Sequence, residues 1–214
     1  MLTLKGKLIA FEGIDGAGKS TQIRRLSEWL QSQGIEDICM TAEPTKGYFG
    51  RQIREAKERL SPKVERQLFV DDRKEHLVSC ILPAIQRGAV VLTDRYFYSS
   101  IAYQGTRRDA FDHAPTLEEL CALQDEIGEY NRLFAPEADI LVYVRLNVDT
   151  ALERMKQGRE SLDPFEKRQT LIDVANAFDR VAESHPHAIV VDGNLAPDDV
   201  FAEIIRGLRL AISN

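Results

Sequence analysis

The sequence has little of what marks several large classes of protein. It holds only three cysteines in 214 residues, Cys39, Cys80 and Cys121, far apart and without the paired spacing of zinc or redox sites. They read as small core hydrophobes in a reducing compartment. No apolar run approaches the length of a bilayer span, the longest being residues 89–92 and 140–144, and residues 1–7 carry no cleavable apolar segment. A soluble, cytoplasmic protein with no membrane partner is expected. Basic charge is scarce too: 28 Lys and Arg against 34 Asp and Glu leave a net charge of −6, with the cations spread along the chain. No field exists to hold a nucleic-acid backbone, so no nucleic-acid partner is expected. Internal repeats and low-complexity tracts are likewise missing from the sequence.

What is present is alternation. Short apolar runs at residues 7–12, 37–41, 89–93, 140–145 and 188–191 alternate with stretches of helical period at 19–32, 50–60, 64–86, 117–133, 149–157, 171–184 and 198–212. This pattern predicts βαβ units: an α/β fold in three layers, with a five-stranded parallel sheet flanked by helices. With 43% hydrophobic and 29% charged residues the chain can bury a real core, and one domain over residues 1–214 is expected. Loop signals concentrate at residues 44–47, 105–115 and 158–164, where a site would be built.

The first strand runs directly into Gly13-Ile14-Asp15-Gly16-Ala17-Gly18-Lys19-Ser20, and a helix follows. That is the GxxxxGKS spacing in its required context. Glycines let successive backbone N–H groups turn inward, and the helix N-terminus adds positive dipole. The loop predicts a nucleoside triphosphate, ATP with magnesium. Lys19 would reach the β- and γ-phosphates and Ser20 the metal, while Gly13, Ile14, Asp15, Gly16, Ala17, Gly18 and Thr21 complete the cradle. Asp15 is unusual in a loop built for anions, since an unpaired carboxylate repels phosphate. It either holds magnesium or orients the acceptor region, the alternative being an outward, solvated side chain.

A second apolar run, Val90-Val91-Leu92-Thr93, ends in Asp94-Arg95-Tyr96. A carboxylate at the end of such a strand is a candidate for the magnesium, and Arg95 beside it sits at the carboxyl edge, where open α/β sheets bind ligands. A guanidinium suits a bidentate grip on a second phosphate. The competing reading makes Asp94 a helix start and Arg95 a solvated charge.

Together Phe11-Glu12-Gly13 and the phosphate loop through Thr21, then Glu43-Pro44, then Asp94-Arg95-Tyr96, then Ala102-Tyr103-Gln104-Gly105, resemble the thymidylate kinase family over nearly the whole chain. The most specific part is the Ala-Tyr-Gln-Gly segment, which begins seven residues after Arg95. The resemblance implies a P-loop kinase fold with a lid segment at about residues 154–166, transfer of phosphate from ATP to dTMP, and a homodimer formed through the helices between residues 50 and 86.

It also implies roles for residues that are otherwise ambiguous. Phe69 and Arg73 stand four apart on one helix face. Alone they read as core and as part of a solvated run, but the resemblance makes them a ring stacked on the base and a donor to a base carbonyl. Tyr103 would lie against the deoxyribose, with Ser99, Ser100 and Gln104 as nearby polar candidates, and Glu43-Pro44 would border the acceptor. Phosphoryl transfer needs alignment, exclusion of water and a cation on the transferred group. The phosphate loop carries no arginine, so the cation is expected from the lid. Arg159 is the first candidate for this catalytic role and Arg154 the second, unless Arg154 lies over the adenine.

The chain departs from the family pattern at Ala42, where arginine is common, at Thr45-Lys46-Gly47, at Pro164, and at Phe178, where tyrosine is common. These departures leave open a kinase for another deoxynucleoside monophosphate or for a deoxynucleoside. A non-catalytic ATP-binding switch is the reading from a different class. Lys46 is the candidate to replace the charge missing at Ala42.

Overall fold

The computed structural model describes residues 4–155 and 164–213. Five parallel strands, β1 (Leu8–Glu12), β2 (Ile38–Ala42), β3 (Val90–Asp94), β4 (Ile140–Arg145) and β5 (Ala188–Asp192), form a sheet in the order β2-β3-β1-β4-β5. Nine α-helices flank it among the described residues: α1 (Lys19–Ser32), α2 (Tyr48–Glu55), α3 (Pro62–His76), α4 (Leu82–Arg87), α5 (Phe97–Gln104), α6 (Leu117–Arg132), α7 (Val148–Met155), α8 (Pro164–Ser184) and α9 (Pro197–Ser213).

The three layers follow from the strand alternation. On β1, Ile9 and Phe11 pack into one core with Ile23, Leu26 and Leu30 of α1, Val174 and Phe178 of α8, and Ile204 and Leu208 of α9. Leu8 and Ala10 face the other core, with Phe97 and Ile101 of α5, Ile127 of α6, and Leu77 and Ile81. Each such fully buried aliphatic side chain contributes about 1.5–3 kcal/mol. No helix among the described residues is long and apolar enough to cross a membrane.

Two departures from the expected elements have physical causes. The single helix expected over residues 64–86 is instead α3, a π-helical turn (Leu77–Ile81) and α4. The widened turn falls just before Pro83, which has no N–H to donate and whose ring displaces the carbonyl four residues back. Helix α5 had no amphipathic period to reveal it, because Phe97, Tyr98, Ser99, Ser100, Ile101, Ala102 and Gln104 are all buried.

Register places the chemistry. Phe11 lies opposite Asp94, and Asp94 opposite Ala42, so Glu12, Asp94 and Glu43 gather at the carboxyl edge where β1 and β3 meet.

Candidate active site

The loop between β1 and α1 begins at Gly13, whose φ is 142° and where a Cβ would lie 2.5 Å from the Val144 carbonyl oxygen. At the other end Gly18, with φ 91°, opens α1 with no side-chain cap and no acidic residue in the first turn. The first N–H groups of the helix and its dipole are therefore left for an anion. Lys19 folds back into the loop, its Nζ donating to the carbonyls of Gly13 at 3.0 Å and Ile14 at 3.2 Å. Burial, reinforced by Arg95, lowers its pKa to about 8 against the pull of Asp94, Asp15 and Glu12. Ile14 and Ala17 are buried, whereas Asp15, Gly16, Ser20 and Thr21 face outward.

A cavity of about 460 Å³ opens over this loop, lined among others by Lys19, Ser20, Thr21, Glu43, Asp94 and Arg95. Across it the Ser20 hydroxyl donates to Asp94 Oδ2. A serine hydroxyl and a carboxylate brought together beside a phosphate cradle are a hard-oxygen pair suited to magnesium, which keeps waters and takes its other ligands from phosphates. No group of three or more His, Cys, Asp or Glu side chains among the described residues is arranged to hold a metal without such help.

Arg95 follows Asp94 with φ 72°, the left-handed region, although it is not glycine. Its guanidinium lies 4.9 Å from the Tyr103 ring, donates from Nη2 to Asp15 Oδ1 at 2.6 Å and to the Tyr103 hydroxyl at 3.3 Å, and from Nη1 to Ser99 Oγ at 2.9 Å. Burial works against its charge, but Tyr103, Asp15 and Glu12 outweigh burial and hold it above the usual arginine pKa. Burial likewise raises Tyr103, with Arg95 opposing, so the phenol is neutral.

A second cavity, of about 190 Å³, is lined by Asp15, Pro44, Glu65, Phe69, Arg95, Ser99, Tyr103 and Gln104. Asp15 and Arg95 thus line both cavities. Gln104 is buried, and its Oε1 has no partner among the described residues. An orphaned acceptor there fits a ligand that brings an N–H donor. Phe178, 1% exposed, stacks on Tyr143 and meets Tyr103 edge-on at 6.0 Å, so it supports the Tyr103 ring from the core.

Arg73 lies behind this cavity, bonded to Glu43 and Ser100, the chain neighbours of its Pro44 and Ser99. It is 1% exposed and does not line the cavity that holds Phe69. Its Nε and Nη2 grip Glu43 Oε2 at 2.9 and 2.7 Å, Nη1 donates to Asn131, and Nη2 also donates to Ser100. Burial raises the Glu43 carboxyl, but Arg73 and His76 outweigh it and hold the pKa below the usual range. The network fixes the turn at Glu43-Pro44 beneath the cavities.

Arg154, in the last turn of α7, donates from Nη1 to the Gly16 carbonyl at 2.9 Å and from Nη2 to that of Gly193 at 3.3 Å, clasping the phosphate loop to the turn after β5. Arg159 and the rest of residues 156–163, the middle of the segment expected to form a lid, lie outside the described residues.

Sequence reasoning missed three contributors. Arg54 of α2 lines the phosphate cavity and also an adjoining cavity of about 620 Å³ that shares Ser20, Ala42 and Asp94 with it and is lined by Lys46, the expected replacement cation. The only signal for Arg54 was its place in the helix after the Glu43-Pro44 turn. Glu65 lines the second cavity, and Glu12 lies fully buried behind Arg95. Their partners are distant in sequence, so no spacing announces them.

Known proteins carry the same frame. The thymidylate kinase family model matches residues 11–204. A thymidylate kinase from Brachyspira hyodysenteriae is 39% identical over 96% of this chain and 95% of its own length. A probable thymidylate kinase from Pyrococcus abyssi is 35% identical over 94% of this chain and 95% of its own. The crystal structure of thymidylate kinase from Ehrlichia chaffeensis superposes with a TM-score of 0.70 at 26% identity, covering 94% of this chain and 98% of that one.

Proposed function

The chain belongs to the thymidylate kinase family, and from that premise we propose how its residues carry out the transfer of phosphate from ATP to dTMP. The observation that carries the assignment of roles is the wall common to two cavities: Asp15 and Arg95 face the phosphate loop on one side and Phe69, Tyr103 and Gln104 on the other. Donor and acceptor phosphates held on either side of that wall would meet end to end.

In this reading the residues of the phosphate loop, Gly13 to Thr21, cradle the donor, and Lys19 neutralises its terminal phosphates. Ser20, Asp94 and Asp15 are the residues that would hold magnesium, which when bound supplies charge neutralisation on the transferred group. Arg95 grips the acceptor phosphate, exchanging its contact with Asp15 for a bidentate one. Arg54 supplies the further cation that Ala42 does not. Phe69 stacks on the base, Gln104 accepts from a base N–H, and Tyr103 crowds out a 2′-hydroxyl. Arg73 and Ser100 act from below by fixing Glu43. Arg159, with Arg154 as the alternative, brings a cation over the transferred group, a role worth about 10³–10⁵ in rate in related chemistry.

The same reading places the enzyme in the cytoplasm as a homodimer.

The test is an acceptor panel of dTMP, dUMP, dCMP, dGMP and thymidine, with ATP consumption as the readout. Transfer to dTMP above the others is expected; activity on thymidine alone, or ATP binding without transfer, would remove this reading.

A further inference from the structure

Glu12 is the last residue of β1 and the neighbour of Gly13, yet its carboxylate takes no part in the phosphate loop. It is 0% exposed, and a buried carboxylate must find partners to repay its desolvation. Oε1 accepts from the backbone N–H of Tyr96 at 2.8 Å and of Ser99 at 3.1 Å, and Oε2 accepts from the Ser99 hydroxyl at 2.6 Å. All three donors belong to the segment that follows Arg95. Helix α5 has no side-chain cap of its own at Tyr96, so its cap is delivered from another strand.

That segment needs holding. Arg95 is the one non-glycine residue with positive φ among the described residues, a conformation that persists only when its surroundings over-determine it. Its N–H donates to the Phe11 carbonyl at 3.0 Å, and its carbonyl accepts from Thr93 Oγ1 at 2.7 Å. Glu12 fixes the next N–H along. The turn that aims the guanidinium is thus clamped on both sides by β1.

Chemistry adds a second link. A serine hydroxyl has one proton; because Ser99 gives it to Glu12, its lone pairs are left for Arg95 Nη1, 2.9 Å away. A neutral carboxyl would instead donate to Ser99 and turn that hydroxyl around.

We propose that Glu12 is a positioning residue for phosphoryl transfer: its carboxylate holds the Arg95 turn and the Ser99 hydroxyl in the orientation that keeps the guanidinium on the wall between the two cavities. The inference rests on the kinase reading above. Arg95 from the turn after β3 and Lys19 from α1 are the charged groups acting on Glu12, and the neutral phenol of Tyr103 from α5 is the further titratable group that its charge acts on. Burial, outweighing Arg95, the bonds from Ser99 and Tyr96, and Lys19, pushes its pKa up to about 7, inside the range an assay covers.

The experiment compares wild type, Glu12→Gln, Ser99→Ala and the double variant in steady-state kinetics from about pH 5.5 to 9. Gln keeps an oxygen for both backbone donors but turns an amide N–H toward Ser99. For Glu12→Gln, kcat should fall about 10- to 100-fold while KM for ATP moves by less than about threefold. The acid limb near neutrality should vanish in that variant, whereas the limb from the substrate phosphate's own ionisation, at about pH 6, persists in both. Ser99→Ala should lose kcat comparably, and the double variant little more than either single one, because one chain of contacts is being cut.

A Glu12→Gln enzyme with wild-type kcat and pH profile, or losses that simply add, would overturn the inference. Should Glu12→Gln fail to fold by circular dichroism, Ser99→Ala decides alone: unchanged kcat overturns the proposal and a lowered kcat with intact ATP binding supports it. Wild type inactive on dTMP would instead overturn the kinase reading, so the two failures are distinguishable.

Discussion

Lys19 is held in a state that its ligand should relieve. Burial is the main reason that its pKa sits at about 8, below the ordinary 10.5. Between those values the unfolded chain binds more protons than the folded one, so this group makes stability rise with pH over that window. Nucleotide binding runs the other way, because only the ammonium form neutralises phosphate. The rise in Tm produced by saturating ATP should therefore shrink between about pH 7 and about pH 9, as differential scanning fluorimetry would measure; an equal shift at both values would contradict this account of Lys19. Residue-scale chemistry was unevenly legible in the sequence. Lys19 and Ser20 open α1 and Asp94 ends β3, so they stand out by spacing, while the buried companions of Arg73 are brought to it from afar: Glu43 from the turn after β2, Ser100 from α5 and Asn131 from α6.

At the scale of the element, the phosphate loop separates two demands on glycine. Gly18 has open space where a Cβ would stand, but its φ of 91° is left-handed, so Gly18→Ala carries only conformational strain. That strain costs about 1–2 kcal/mol. At Gly13 a Cβ would collide with the Val144 carbonyl on β4 as well, so Gly13→Ala should cost about 3 kcal/mol or more. Urea denaturation of the two variants measures the difference, and equal midpoints would refute it. The same element was readable from sequence because its signal is local: strand, glycines, lysine, helix. Helix α5 was not, since it is buried nearly all round, its serines and Gln104 included, and too short to announce itself by period. The long helix of residues 64–86 was read correctly in its extent but not in its π-helical turn, which depends on where Pro83 forces the ladder open.

For the whole molecule, the alternation of apolar runs and helical periods was enough to indicate five parallel strands between two helical layers, but not which strands are neighbours. Strand order matters because it sets β3 beside β1, and so brings Asp94 and Arg95 to the phosphate loop from 80 residues away. Arg54 reaches the same place through the β2 connection, again by topology rather than spacing.

One consequence of the wall formed by Asp15 and Arg95 extends beyond the reaction. Because Asp15 and Arg95 line both chambers, the two sites adjoin, and a molecule bearing adenosine at one end of a polyphosphate chain and thymidine at the other would be tethered as soon as either end docked. The second docking then becomes intramolecular, and calorimetry should find such a two-headed ligand bound about 10²–10⁴-fold more tightly than either nucleotide alone. Shortening the chain below the span of the wall should abolish the avidity entirely, which makes the ligand a ruler for the distance across which phosphate is handed over.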